Sequence, residues 1–171
     1  EDAGPQAVAG WATGVSAGPP DESGQMLTFQ VTNDNNALFS AQPAIAADGT
    51  LNYTPAADAN GNATVTGILK DDGGTADGGV DTSAPQTFTI TVNPVNDAAG
   101  FVKGPDQTVA MNAGPQTVPG WATAISVGPP DESAQGCTFE VNNDNSTLFA
   151  IPPSITSDGI LTYTPASGAS G

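Results

Sequence analysis

GWATGVSAGPPDES at residues 10–23 recurs almost unchanged as GWATAISVGPPDES at residues 120–133. The two stretches are separated by an offset of 110 residues. With that offset, residues 1–61 align with residues 111–171 without a gap, and 36 of the 61 aligned pairs are identical. Identity at this level over this length is the signature of an internal repeat. The two segments are therefore expected to share one fold.

Short segments of alternating hydrophobicity predict an all-β protein built from tandem Greek-key Ig-like or cadherin-like β-sandwiches, with about seven strands per repeat. The clearest segment is QTFTITVNP, in which apolar Phe88, Ile90 and Val92 alternate with Thr. Ala47-Asp48-Gly49 carries an Asp-Gly signal for a hairpin turn. No window shows convincing helical periodicity. We predict strands at about 101–109, 116–126 (6–16 in the first copy), 27–32, 41–46, 50–54, 63–70 and 86–94.

The apolar residues of these segments predict the core. Trp11 has two interpretations, because an indole ring serves a core and a sugar-binding platform equally well. Its equal placement in both copies, within a strand pattern, favours the core. The predicted core residues of repeat one are Val8, Trp11, Val15, Leu27, Phe29, Val31, Leu38, Phe39, Ile45, Leu51, Tyr53, Val65, Ile68, Phe88, Ile90 and Val92.

The repeat boundaries predict two domains, each lacking some strands. Residues 1–97 form repeat one without its first strand, and residues 98–171 form repeat two without its last two strands. The joint lies in the polar stretch 95–100. Either the chain is a slice of a longer protein or neighbouring copies complete each other by strand exchange, since incomplete sheets expose unpaired edges.

The composition excludes several classes of function. The chain has 2 Lys and Arg against 18 Asp and Glu, no His, and a formal net charge of −16. Nucleic acid and anionic membrane surfaces are excluded as partners by charge, and no apolar stretch is long enough for membrane insertion. Without His the commonest general base is missing, so we expect no enzyme. Cys137 is the only cysteine, which excludes an internal disulfide.

An acidic, Asn- and Asp-rich chain suits Ca²⁺, which binds six to eight oxygen ligands. In a Greek-key sandwich alternate loops share one end, so the lower loops of repeat one and the upper loops of repeat two are expected to face the joint. The open alternative is that these acids are solvated turn formers. The predicted Ca²⁺ ligands are Glu1, Asp2, Asp34, Asp58, Asn96, Asp97, Asp131, Glu132 and Asp158.

Repeat two loses three of the acids that repeat one has at its lower end. The positions of Glu1, Asp2 and Asp58 are occupied in repeat two by Met111, Asn112 and Gly168. We therefore expect the joint after repeat two to be poor in metal. The glycine-rich acidic loop 71–81 is either a further ligand loop or a plain flexible loop.

Four stretches carry a family resemblance: EDAG, TFTITVNPVNDA, DGTLNYTPAADANGNATVTGILKDDGG and DGGVDTSAPQTFTITV. They resemble bacterial cadherin-like tandem repeats of the VCBS type, and the resemblance covers essentially the whole chain. It implies a module of a very large secreted or surface-attached bacterial protein, with roles in adhesion, biofilm matrix or filaments, often with Ca²⁺. The full cadherin linker motif DxNDN is absent, and only Val95-Asn96-Asp97 is present.

We therefore expect a structural spacer or adhesive segment of a bacterial cell-surface or extracellular filament protein, rigidified by Ca²⁺ at the joints between repeats. Its expected partners are neighbouring repeats of the same chain and other copies in a filament. The alternatives are a carbohydrate- or partner-binding module that recognises polysaccharide, and an accessory domain of a secreted hydrolase.

Overall fold

The computed structural model describes residues 1–171 as antiparallel β-sheets with short 3₁₀ turns and no α-helix. The all-β prediction is confirmed at this level. The chain divides into two compact units, Glu1–Val95 (unit 1) and Asn96–Gly171 (unit 2), whereas the boundary predicted from the repeats lies between residues 97 and 98. No helix is long and apolar enough to cross a membrane.

Unit 1 contains two three-stranded antiparallel sheets, with the strand orders β1-β4-β3 and β2-β5-β6. Single 3₁₀ turns lie at Pro20–Glu22, Asn36–Leu38 and Ala76–Gly78. The strands are β1 (Gln6–Val8), β2 (Thr28–Asn33), β3 (Phe39–Ile45), β4 (Leu51–Pro55), β5 (Gly61–Lys70) and β6 (Gln86–Val92).

The core of unit 1 is formed by side chains from both of its sheets. On β5, Ala63 and Val65 are fully buried while the intervening Thr64 is exposed, as expected from the period-2 alternation of a strand. Burial of each large apolar side chain contributes about 1.5–3 kcal/mol. The buried cluster consists of Leu38, Phe39, Ala63, Val65, Ile90 and Val92, with Val31, Tyr53, Ala59 and Phe88 packed against it.

The connection between β3 and β4 is the predicted hairpin turn. The Gly49 amide donates to the Ala46 carbonyl over 2.8 Å, and Asp48 Oδ1 accepts from the Thr50 amide over 3.0 Å. Gly49 has φ +82°, and a Cβ there would collide with the carbonyl oxygen of Ala12. Only glycine meets both conditions without strain.

Unit 2 contains one three-stranded sheet of order β10-β11-β8 and one pair, β7-β9. Single 3₁₀ turns lie at Pro130–Glu132 and Ser146–Leu148. The strands are β7 (Gly100–Val102), β8 (Gln116–Val118), β9 (Thr123–Ser126), β10 (Phe149–Ile155) and β11 (Leu161–Pro165). The register of β8 against β11 starts from Gln116 opposite Tyr163, and the register of β1 against β4 starts from Gln6 opposite Tyr53, 110 residues earlier.

Several expectations about strands and core differ from the structure. In repeat one the strand predicted at 6–16 is limited to Gln6–Val8, and in repeat two the copy of the strand predicted at 27–32 forms no strand. The strand predicted at 116–126 is divided into β8 and β9, because Gly120 between them has φ +64°. The strand predicted at 101–109 is limited to Gly100–Val102. Val8, predicted to lie in the core, is 43% exposed, because its three-residue strand β1 pairs at the edge of the sheet with β4 alone.

Candidate functional site

Glu1 is a nearly buried carboxylate at one end of unit 1, with 8% of its surface exposed. Its Oε1 accepts from the Val95 amide over 2.8 Å and its Oε2 accepts from Asn60 Nδ2 over 3.2 Å. The bond from Val95 lowers the pKa of Glu1, with a smaller opposing effect of desolvation and further lowering by Asn60. A carboxylate oxygen of Asp2 lies within 4.8 Å of one of Glu1. Two of the predicted ligands are therefore adjacent in unit 1.

Asp2 and Asp58 meet through the backbone. Asp2 Oδ1 accepts from the Asp58 amide over 3.2 Å, and both residues have positive φ angles near 55°. In unit 2, Asn112 Oδ1 accepts from the Gly168 amide over 2.7 Å, again at positive φ. Asp, Asn and Gly are the residues that tolerate this conformation. Repeat two has Asn112 and Gly168 in place of the two acids, so it keeps the same turn without the negative charge.

Asp34 binds the backbone of strand β5, and Asp158 binds a hydroxyl of its own turn. Asp34 Oδ1 accepts from the Thr64 amide over 2.7 Å. Asp158 Oδ1 accepts a short hydrogen bond from the Thr156 hydroxyl, which itself accepts from the Ile160 amide over 3.0 Å. Both carboxylates are exposed. A bond to a neighbouring strand therefore accounts for Asp34, and turn formation accounts for Asp158.

Unit 2 brings together Asn96, Asp97 and Glu132. The Glu132 side chain is 5% exposed, and its Oε1 accepts from the Asp97 amide over 2.8 Å and from Gln135 Nε2 over 3.2 Å. Asn96 Nδ2 donates to the Asp97 carbonyl over 2.9 Å. Glu132 Oε2 is buried and has no hydrogen-bond partner. The neighbouring Asp131 is exposed.

The absence of a side chain at Gly128 leaves room for the buried carboxylate of Glu132. Gly128 has φ +141°, and a Cβ there would collide with Glu132 Oε2. Gly18 has the same relation to Glu22 in unit 1, where the glutamate is only half-buried. The acidic turn was recognisable in the sequence as GPPDE, but the packing of its glycine against the glutamate was not predicted. The signal in the sequence that could have indicated this packing is the glycine that precedes Pro-Pro in both copies.

Neither lysine forms an ion pair with a predicted ligand. Lys70 Nζ lies 2.6 Å from Asp81 Oδ2, and the pKa of Asp81 is lowered chiefly by this hydrogen bond. Lys103 Nζ lies 3.0 Å from Asp106 Oδ1 on the surface. Since the chain has no other Lys or Arg and no His, no basic side chain is left to neutralise the buried Glu132.

The acidic loop 71–81 is tied to its surroundings by its own carboxylates. Asp72 Oδ1 accepts from the Met26 amide over 2.8 Å, and Asp71 Oδ1 accepts from the Gly73 amide over 2.9 Å. The ends of the loop are joined by a bond from the Asp71 amide to the Asp81 carbonyl over 3.0 Å. These acids organise the loop.

Both tryptophans are half-buried and make contacts within their own units. The Trp11 ring centroid lies 4.3 Å from that of Phe88. Trp121 Nε1 donates to the Pro105 carbonyl over 2.9 Å. The ring of Trp11 is therefore packed against an aromatic ring of its own unit.

Comparison of the chain with protein-family models, with curated proteins and with solved structures found no match.

Proposed function

We propose that the chain is a structural spacer or adhesive segment of a large bacterial cell-surface or extracellular filament protein. Its repeats are tandem Greek-key sandwiches, and Ca²⁺ bound at the joints between repeats makes them rigid. The observation that carries the calcium part of this proposal is the buried carboxylate of Glu132, whose Oε2 has no hydrogen-bond partner.

The spacer role is supported by the regularity of the two copies. The pairing of β8 with β11 repeats that of β1 with β4 at a constant offset, and the same holds for β10 with β11 and β3 with β4. Selection for a specific binding surface would favour divergence between copies at one face. A constant scaffold with 36 of 61 identical positions suits a role in which each copy does the same mechanical work.

The calcium role is supported by the electrostatics of the linker. One carboxylate of each unit accepts a hydrogen bond from the linker at residues 95–97. Glu1 accepts from the Val95 amide, and Glu132 accepts from the Asp97 amide. Removing a carboxylate from water without a compensating charge or hydrogen bonds is costly. Because both lysines are engaged elsewhere, a cation from solution is the natural compensation.

The donors fit a hard divalent cation. Ca²⁺ prefers carboxylate, amide and carbonyl oxygens, and these are the groups that Glu132, Asn96 and Asp97 offer. On unit 1, Glu1 and Asp2 are the corresponding candidates. Asp34 binds strand β5 and Asp158 binds its own turn, so neither is kept as a ligand, whereas Asp58 and Asp131 remain candidates. Bound Ca²⁺ would supply the positive charge that the chain itself lacks.

We also propose that the chain has no catalytic function. The acids with named partners hold turns, loops and strand ends in place, and the candidate site of Asn96, Asp97 and Glu132 has no Ser, Cys, Lys or His that could act as a nucleophile. The alternative of a polysaccharide-binding module has less support, because Trp11 packs against Phe88 within its own unit. The location outside a bacterial cell follows from the proposed role and from the sequence resemblance.

Thermal unfolding of the 171-residue chain in EDTA and in 10 mM Ca²⁺ tests the calcium proposal. For sites with Kd near 10⁻⁴ M, typical of extracellular modules, mass action gives about 2.7 kcal/mol at 100 times Kd. In a domain of this size, that corresponds to a rise of roughly 10–20 °C in Tm. Mg²⁺ at the same concentration should give a much smaller rise.

The decisive variant is Glu132→Gln, and Glu22→Gln is its matched control at the same position of repeat one. Glu132→Gln keeps an acceptor for the Asp97 amide but removes the buried charge. It should abolish most of the Ca²⁺-dependent rise and should leave Tm in EDTA equal or higher. Glu22→Gln should leave the rise intact. A wild-type Tm that is independent of Ca²⁺ would reduce these acids to turn formers and end the calcium proposal.

A further inference from the structure

Unit 2 presents an apolar face at the positions where unit 1 has its core. Leu38 and Phe39 are 2% and 5% exposed in unit 1, but the equivalent Leu148 and Phe149 are only half-buried. Each pair joins the end of a 3₁₀ turn to the start of a strand, and the strands have the same register, Phe39 opposite Pro55 and Phe149 opposite Pro165. Within residues 96–171 this apolar face therefore has no covering layer of side chains like the one in unit 1.

Unit 1 shows what covers this face. The apolar side chains of the β5–β6 hairpin, which include Ala63, Val65, Ile90 and Val92, pack in one cluster with Leu38 and Phe39. Further along the same hairpin, Phe88 packs on Trp11 and Gly67 approaches Ile45. No segment of unit 2 aligns with β5 or β6 in the repeat.

Two cavities of unit 2 lie at the places that correspond to these contacts. One, of about 330 Å³, is lined by apolar side chains that include the equivalents of Leu38, Phe39 and Tyr53. These residues are Leu148, Phe149 and Tyr163. The second, of about 400 Å³, is lined by the equivalents of Trp11, Val31 and Ile45. These residues are Trp121, Val141 and Ile155.

The backbone of unit 2 also lacks a partner at the place where unit 1 has strand β5. In unit 1, β2 forms six residue pairs with β5, from Thr28 opposite Lys70 to Asn33 opposite Val65. The equivalent segment 138–143 in unit 2 forms no strand. A segment without a ladder partner offers donors and acceptors for strand addition.

From these observations we propose that this face of unit 2 is a docking site for a β-hairpin of the β5–β6 type. The hairpin's inward apolar residues fill both cavities, and its first strand pairs with residues 138–143. The occupant is defined by the pattern of residues 61–92, an alternating apolar hairpin with a glycine opposite Ile155. This docking is independent of Ca²⁺ and goes beyond the proposed spacer function.

The test uses the 171-residue chain and a synthetic peptide of residues 61–92, in EDTA. The peptide contains no Trp or Tyr, so a Trp11→Phe variant of the chain reports only Trp121. We expect a saturable change in Trp121 fluorescence as the second cavity fills. Amide exchange at 138–143 should slow at least about ten-fold when these groups enter a ladder.

A peptide with Val65→Asp and Ile90→Asp is the matched control, because it keeps the hairpin backbone but places two charges in the cavities. It should bind at least about 100-fold more weakly. The changes are made in the peptide, so the folding of the chain is not at issue. Attachment of the 61–92 sequence after Gly171 through a Gly-Ser linker gives a second measurement if the free peptide aggregates. The Trp121 unfolding midpoint should then rise.

Two results would overturn the proposal. In the first, neither the free nor the attached hairpin protects the amides of 138–143. In the second, the chain alone forms a dimer in which these amides are already protected, which would make a second copy the occupant. Because all measurements are made without Ca²⁺, failure here leaves the calcium proposal to be judged separately.

Discussion

Truncation of Leu38 to Ala offers the sharpest test of how the two units differ. Leu38 and Val65 are the largest fully buried side chains of the protein, and Leu38 lies in the core cluster between the two sheets of unit 1. Leu148 occupies the same position of repeat two but is half-buried. Leu38→Ala and Leu148→Ala therefore compare the same chemical change at two degrees of burial.

The expected magnitudes follow from burial. A fully buried Leu→Ala change costs about 2–5 kcal/mol, because the lost transfer free energy is joined by a cavity term. For Leu148→Ala the neighbouring cavity already exists, so we expect about 1 kcal/mol or less from the lost burial alone. In a domain of 60–100 residues each kcal/mol corresponds to about 4–8 °C. Leu38→Ala should thus lower the Tm of unit 1 by at least about 8 °C.

The two tryptophans make the assay specific for each unit. In a Trp121→Phe background, Trp11 reports unit 1 through its contact with Phe88. In a Trp11→Phe background, Trp121 reports unit 2. Urea titrations followed by fluorescence give the free energy of unfolding of each unit with and without the Leu→Ala change.

Equal costs for the two truncations would refute the reasoning, since they would mean that Leu148 is as well packed as Leu38. A cost below about 1 kcal/mol for Leu38→Ala would also refute it, because a side chain with 2% exposure cannot be removed from a close-packed core so cheaply.

Three further predictions concern turns and charges. Gly49→Ala should lower the free energy of unfolding by more than about 1 kcal/mol in urea titrations, because its positive φ and the carbonyl of Ala12 both exclude a Cβ. Asp2→Asn should change stability by less than about 0.5 kcal/mol in the same assay in EDTA, since repeat two makes the same bond with an asparagine. Lys70 lowers the pKa of Asp81 in the folded state. The Lys70–Asp81 pair therefore stabilises the fold at pH values above the unfolded-state pKa of about 4. That stabilisation is lost as the pH falls through the lower folded-state pKa of Asp81. Lys70→Met should therefore lower stability near neutral pH and flatten its decline below about pH 4, which urea midpoints at several pH values will show; an unchanged acid limb would contradict this.

The strands of unit 1 could be predicted because their information is local. Alternation of Phe88, Ile90 and Val92 with Thr indicated β6, and the structure has a strand at Gln86–Val92 with the last two apolar residues buried. The Asp48-Gly49 turn was predictable for the same reason, since the positive φ belongs to the glycine itself. The 110-residue offset also needed only the letters of the sequence.

Strand formation in repeat two depended on distant partners. The segment LTFQVT pairs with β5 in unit 1, whereas its near-copy CTFEVN at 137–142 forms no strand. The alternation is the same in both, so pattern alone predicts a strand in each. A strand is stable only when its amides and carbonyls have a ladder partner, and that partner lies more than thirty residues away.

By itself, the sequence determined the all-β class, the internal repeat and the acidic character of the loops, because composition and periodicity are properties of the chain alone. Which acids are buried was decided by tertiary structure. Asp34, Asp158 and Glu132 are all loop acids in the sequence, yet the first two are exposed and Glu132 is enclosed. That difference arises from the close approach of Gly128 and the Asp97 amide to one carboxylate, and desolvation depends on such three-dimensional neighbours rather than on residue type.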